Sequence, residues 1–382
     1  MKKKILFVIP DFYIGGTNKS LENLLLLIDN NKYDIRIFSL YEDGDFYYKE
    51  KVFKPYLIKK SIFYRLFHDH FLFRKFSTLA SLMFRCNASR FLHKFEINRI
   101  QNKENFDSVI AYQESSATIC VSMLRNCSNR IAWVHCELRY WLQNLVKGRK
   151  LEEAGDYSKY DKIICVSESA RQSFLSLYPQ LSDKVMFIYN SVDDNHIKEL
   201  ADDVKANVPF SDNTFNILSV GRFSPTKQFD LIPKIVSELK KITSKPFCWY
   251  IIASTEECLQ NMLEKIEKYD VSHEVILLGA KDNPYPYFKK SDLFVCTSES
   301  ESFSYVIAES KVLHVPVLCN DIPVAKEVVS DEEGWISSIT DMPVTLSRII
   351  DKNNGIYTSV KENILNYRYN NHEILKKFED IV

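Results

Sequence analysis

Short apolar runs of strand length alternate with helical patterns along nearly the whole chain, and nothing else in it restricts the fold as much. KILFVIP, DIRIFSL, DSVIAY, RIAWV, KIICV and VMFIY precede residue 190, and FNILSV, CWYIIA, EVILLG, DLFVC and PVLCN follow it. Continuous apolar strands need cover on both faces, and the helical stretches between them supply it. The pattern specifies an α/β class with parallel sheets. Two such sets within 382 residues exceed one typical core and imply two doubly wound domains. Between them ADDVKANVPFSDNT is polar and carries Pro209 with turn-forming residues, which places a linker near residues 200–214.

Composition excludes several classes. Hydrophobic residues at 46% with 26% charged residues describe a globular protein, not a disordered scaffold. The nine cysteines form no C-x-x-C pair, and several fall inside apolar strands, which suits buried thiols in a reducing compartment. After MKKK the chain runs straight into a strand-like ILFVIP, too short for a secretory signal core, and the run near LLLLI stops at Asp29, far short of a bilayer span. A cytoplasmic protein is expected, peripheral to the inner membrane face if it touches lipid at all.

Residues able to do chemistry cluster just after strands. In open doubly wound sheets the ligand lies beyond the carboxyl ends of the strands, and two such domains facing each other form a cleft. ESFSYVIAE sets Glu301 and Glu309 eight residues apart where a strand passes through a polar loop into a helix. Alone, such acids most often merely suit the helix dipole. Upstream, FNILSVGRFSPTKQFDLI carries Gly221, Arg222 and Lys227 on a loop that leads into an amphipathic helix from about Asp230 to Lys241. Arg222 can fork onto two phosphate oxygens, and Lys227 adds a movable charge. With those cations beside them, the carboxylates become acceptors for sugar hydroxyls. Gly15 and Gly16 follow the first strand, and as a bare pair mark only a turn. His135 ends RIAWV, where a lone histidine is most often structural, and nothing near Cys136 suggests an activated thiolate.

Taken in order, GRFSPTKQ, NPYPYFKKSDLFVCTSESESFSYVIAES and HVPVLCNDIPVAKEVV resemble the C-terminal half of retaining GT-B glycosyltransferases of sequence family 4, the glycosyl transferases group 1. ILFVIPDFYIGGTNKSLENLL, RIAWVH, YDKIICVSESARQSF and KVMFIYNSVD are similar to elements of the N-terminal half, leaving residues 50–105 and about the last forty outside the likeness. The resemblance implies two Rossmann-like domains facing each other across a cleft. Residues 1–200 would form the acceptor-side domain, joined by a C-terminal helix at about 368–382, and residues 210–365 the nucleotide-sugar domain. It implies transfer of a hexose-type sugar, with retained configuration, from a UDP- or GDP-sugar to a glycan or lipid-linked acceptor in capsule- or lipopolysaccharide-type synthesis. No metal or other cofactor is expected.

The resemblance also assigns roles. Arg222 and Lys227 would hold the diphosphate, Glu309 the ribose hydroxyls and Glu301 the hydroxyls of the transferred sugar. Ser302, Phe303, Ser304 and Tyr305 would complete the cradle, mainly through backbone amides. Gly15 and Gly16 would contact the donor, and His135 would donate a hydrogen bond to the sugar or leaving phosphate. Many relatives carry glycine where this chain has Ser302, Ser304 and His314, and a glycine-rich loop where it reads ASTEE. These departures bear on sugar identity and amide geometry. A nucleotide-sugar epimerase of the same fold and a non-catalytic nucleotide-sugar or membrane-binding protein are the competing classes.

Residues 51–103 hold twelve Lys and Arg against two Asp and Glu, interleaved with aromatics. Such a stretch can lie on an anionic membrane surface or form a solvated helical face whose aromatics enter the core. No nucleic-acid reading motif accompanies it.

Overall fold

In the computed structural model the described residues are 2–13, 15–41, 52–59, 92–145, 155–203, 207–253, 259–351 and 355–382. Most of the basic stretch 51–103 and all of the ASTEE loop beyond Ala253 therefore lie outside the described residues. Among them, no helix is long and apolar enough to cross a membrane.

The alternating pattern resolves into two compact units, Met1–Ser191 with Asn371–Val382, and Val192–Asn370. In the first, strands β1 (Lys3–Ile9), β2 (Tyr33–Ser39), β3 (Ser108–Ala111), β4 (Arg130–Val134), β5 (Lys162–Cys165) and β6 (Val185–Phe187) form a parallel sheet in the order β2-β1-β3-β4-β5-β6. Residues Ile5, Leu6, Phe7, Val8 and Ile9 are wholly buried, as expected of a strand covered on both faces. From β1 the chain winds one way to β2 and the other way to β3, so the topological switch lies between β1 and β3.

The second unit contains β7 (Phe215–Gly221), β8 (Phe247–Ala253), β9 (Val275–Leu277), β10 (Leu293–Cys296), β11 (Val317–Asn320) and β12 (Gly334–Ser337). They pair in parallel in the order β12-β11-β10-β7-β8-β9. Read from β9 this is the 3-2-1-4-5-6 order of dinucleotide-binding sheets, with its switch between β7 and β10. The helix after β7 covers Ile232–Leu239 with Pro233 in its first turn, preceded by a short tight turn over Phe229–Leu231. Its apolar face, Ile232, Ile235, Val236 and Leu239, packs with Ile217, Trp249 and Ile251 of the sheet.

Of the stretch 200–214, expected as a linker, the described residues 200–203 and 207–214 group with the second unit. The helix Asp194–Ala201 is capped by Asp193, buries Ile197 and Ala201, and accepts at the Leu200 carbonyl from Asn283 Nδ2 at 2.8 Å. Phe210 stacks on Tyr250 with ring centroids 4.1 Å apart. The division between units falls at Ser191.

The final helix, Asn371–Ile381, groups with the first unit. Its apolar residues Ile374, Phe378 and Ile381 recur at helical spacing on one face and are buried. Phe378 stacks 6.4 Å from Phe7 and lies 6.0 and 6.2 Å from the Tyr33 and Trp133 rings. Asn129 Nδ2 and Lys162 Nζ donate to the Ile381 carbonyl at 2.8 and 2.9 Å, which satisfies the helix end. Phe378→Ala should therefore destabilise the first unit by about 3–5 kcal/mol. Equilibrium urea unfolding checks this, and a loss under about 1 kcal/mol would show that the site can collapse around the missing ring.

Candidate functional site

Two loops leave the second sheet at its switch point, one after β7 and one after β10, and they are tied together. Gly221 ends β7, and an added Cβ there would stand 3.3 Å from both Lys227 Cε and Phe229 Cζ, so glycine leaves room for the lysine stem. Gly221 thus positions Lys227. A tight turn over Pro225–Lys227 follows, closed by Gln228 in the left-handed region at φ 52. From the other loop, Thr297 Oγ1 donates to the Lys227 carbonyl at 2.7 Å, and the Glu299 N–H donates to the Thr226 carbonyl at 2.8 Å.

These ties bring Lys227 and Glu301 together. Nζ lies 2.5 Å from Oε1, with the side chains only 21% and 12% exposed. Ser298 Oγ donates to the same oxygen at 2.7 Å, and the Ser298 carbonyl accepts from Asn320 Nδ2 at 3.0 Å, so the carboxylate is held from β10 and β11 together. Burial pulls the Lys227 ammonium toward neutrality, but the Glu301 carboxylate outweighs it and the net shift is upward. Lys227 is charged at neutral pH. Arg222 is exposed and, among the described residues, has no ion-pair partner.

The remaining second-unit candidates sit around the start of the helix Tyr305–Val312. Glu309, inside that helix, is buried and accepts from the Tyr285 hydroxyl at 3.2 Å. Phe303 is buried and its ring meets Tyr305 edge-on at 5.1 Å, while Ser302 is half-buried. Ser304 stands just before the helix in the left-handed region at φ 65, and His314, just past its end, lies there too at φ 58. Both are positions a glycine would occupy without strain.

In the first unit, Gly15 and Gly16 open the helix Gly16–Leu27, and an added Cβ at either would meet nothing within 4 Å among the described residues. Neither is demanded by crowding from the fold. His135 follows β4 with its ring centroid 4.7 Å from that of Tyr112 and stacked near Trp133. Its Nε2 is shut from solvent without a hydrogen-bond partner among the described residues, and burial pushes the imidazole down to about 3. The ring is therefore neutral at physiological pH, able to donate from one nitrogen. Glu114, after β3, accepts the backbone N–H groups of His135 and Cys136, the latter at 2.7 Å. Burial raises the Cys136 thiol well above its ordinary range, with Glu114 adding to the effect, so it stays protonated.

Glu114, Ser298 and Tyr285 are the site residues that sequence reasoning missed. Glu114 and Ser298 follow strands, in AYQES and CTSES, and the rule that picked out His135 could have found both. Tyr285 lies in NPYPYF with no spacing that joins it to Glu309.

Comparison with known proteins fits this geometry. Residues 14–196 match the Glycosyltransferase Family 4 model, and residues 201–352 match that of Glycosyl transferases group 1. Both halves thus match models of glycosyltransferase families. Among solved structures, HepE of Anabaena in complex with UDP superposes with a TM-score of 0.70 at 15% identity, covering 100% of this chain and 99% of that one. The chain has the GT-B fold. The O-antigen biosynthesis glycosyltransferase WclY of Escherichia coli is 25% identical over 228 residues, 58% of this chain and 61% of the relative. A Campylobacter jejuni protein, N-acetylgalactosamine-N,N'-diacetylbacillosaminyl-diphospho-undecaprenol 4-alpha-N-acetylgalactosaminyltransferase, is 28% identical over 179 residues, 46% of each chain. This GT-B chain thus spans about half to three fifths of the length of these two curated relatives, 46% and 61%.

Two outcomes follow for the GT-B site. Lys227→Met leaves a largely buried carboxylate unpaired and should cost about 3 kcal/mol, while adding Glu301→Gln should recover part of it. The raised lysine pKa makes the pair's contribution complete below pH 10.5 and lost as pH rises through the folded value, so the penalty should vanish in strong alkali. A thermal double-mutant cycle reads both, and strict additivity would mean the pair contributes nothing. For His135 the sign reverses. Its imidazole takes a proton near 6.5 when unfolded and at about 3 when folded, so stability falls as pH drops between those values. His135→Gln should flatten that acid limb in melting curves.

Proposed function

We propose that the protein is a retaining glycosyltransferase that moves a hexose-type sugar from a UDP- or GDP-sugar to a glycan or lipid-linked saccharide during surface polysaccharide synthesis. The observation that carries this reading is the Lys227–Glu301 pair held at the β7/β10 switch point. A cation and a carboxylate fixed there suit the two ends of a sugar diphosphate, one for phosphate oxygens and one for sugar hydroxyls. The UDP complex of HepE supports a nucleotide-sugar donor, and the names of WclY and the Campylobacter relative support a saccharide acceptor of O-antigen or diphospho-undecaprenol type.

In this scheme Arg222 and Lys227 bind the diphosphate and Glu309 the ribose. The amides around Ser302, Phe303, Ser304 and Tyr305 receive phosphate or sugar oxygens, and Glu301 orients the sugar. Gly15, Gly16 and His135 are assigned to the donor's phosphate and sugar. As the bond from anomeric carbon to phosphate oxygen breaks, charge grows on the leaving diphosphate, which the two cations and the helix-start amides stabilise. The acceptor hydroxyl attacks from the same face, its oxygen bonding to the anomeric carbon while its proton passes to the leaving phosphate. The configuration is retained, and neither a covalent glutamate nor a metal is needed. Residues 51–103 are assigned to an anionic membrane surface that presents the acceptor.

Nucleotide release that depends on added acceptor tests the reading. Glu301→Gln should lower turnover by about 10²–10³-fold with little change in donor affinity. Arg222→Ala, at an exposed and unpaired side chain, should leave stability untouched and weaken donor binding by about 10–100-fold. If no UDP- or GDP-sugar raises the melting temperature of the wild type, the proposal fails. Flotation with anionic vesicles should be lost at high salt, and association indifferent to salt would remove the membrane assignment.

A further inference from the structure

Ser304 holds a conformation that its own side chain does nothing to justify within the protein. It starts the helix Tyr305–Val312 at φ 65 and ψ 85, where a non-glycine residue is strained, and its side chain makes no capping bond to that helix. The residue is 7% exposed and its hydroxyl is buried without a hydrogen-bond partner among the described residues. An unpaired buried hydroxyl and a left-handed serine both cost stability, and glycine at this position would avoid both. The Ser304 carbonyl is already used, accepting from the Ile307 N–H at 3.2 Å, so the backbone turn does not depend on the side chain. The hydroxyl sits three residues beyond Glu301, at a helix start whose first-turn N–H groups lack intrahelical acceptors.

We propose that the Ser304 hydroxyl is a donor built into the nucleotide site, completing its hydrogen bonding on a phosphate oxygen of a bound nucleoside diphosphate. The proposal rests on the nucleotide-sugar reading above and adds a side-chain contact that sets how strongly the second phosphate is held. The free protein carries the strain, and the ligand satisfies the hydroxyl.

Ser304→Gly and Ser304→Ala separate the two costs. Ser304→Gly relieves the backbone and should raise the melting temperature by about 2–4 °C, whereas Ser304→Ala keeps the strained φ and should gain less. Both remove the hydroxyl, so both should bind UDP or GDP about tenfold more weakly than wild type in calorimetry, with UMP or GMP affinity changed much less. A purely structural serine would move the melting temperature and leave the diphosphate-to-monophosphate ratio alone. Wild-type affinity for UDP and GDP in both variants overturns this proposal and leaves the glycosyltransferase reading standing. If neither UDP nor GDP binds wild-type protein, both fall together.

Discussion

The ion pair between Lys227 and Glu301 is the contact on which the second unit's site depends. A charge taken out of water is tolerated when a partner and further hydrogen bonds compensate it, and here each partner is fixed by a different loop. Thr297 Oγ1 and the Glu299 N–H hold the lysine loop, while Ser298 holds the carboxylate and is itself held by Asn320. The two central strands of the sheet thereby end in one rigid polar assembly. The ammonium and the carboxylate satisfy each other, which keeps both in place.

Much of this was legible in the sequence because the signals are local. Apolar runs buried on both faces announced the parallel strands, and Pro233 in a helix's first turn is where proline fits. Arg222, Lys227, Glu301 and Glu309 were picked out because they follow strands in a sheet class that binds ligands there. The pairing of Lys227 with Glu301 was not legible, since it depends on β7 and β10 being neighbours across seventy-odd residues of intervening chain. The same holds for Tyr285 on Glu309. The boundary near residue 191 was obscured for a related reason: polar composition with a proline marks a loop, but only packing decides which unit a segment belongs to. His135 was visible, while the carboxylate that fixes its turn was overlooked as one more polar residue after a strand.

The first unit's polar residues follow the opposite electrostatic logic. Around β3 and β4 burial dominates, so the imidazole of His135 and the thiol of Cys136 are kept neutral and Glu114 is spent on backbone N–H groups. That arrangement suits orientation and hydrogen bonding. In the second unit, by contrast, an ion pair is held between the loops of β7 and β10.

The return of Asn371–Ile381 to the first unit makes the chain's order of synthesis matter. On the ribosome the second unit, Val192 to Asn370, is synthesised whole before the last segment of the first. Until then Phe7, Tyr33 and Trp133 lack the ring that packs against all three, and an apolar face of the first sheet stays open. The unit begun first is thus finished last, and a nascent chain truncated by a dozen residues would leave the exit tunnel with a complete second unit and an unsealed first one, an exposure that favours aggregation.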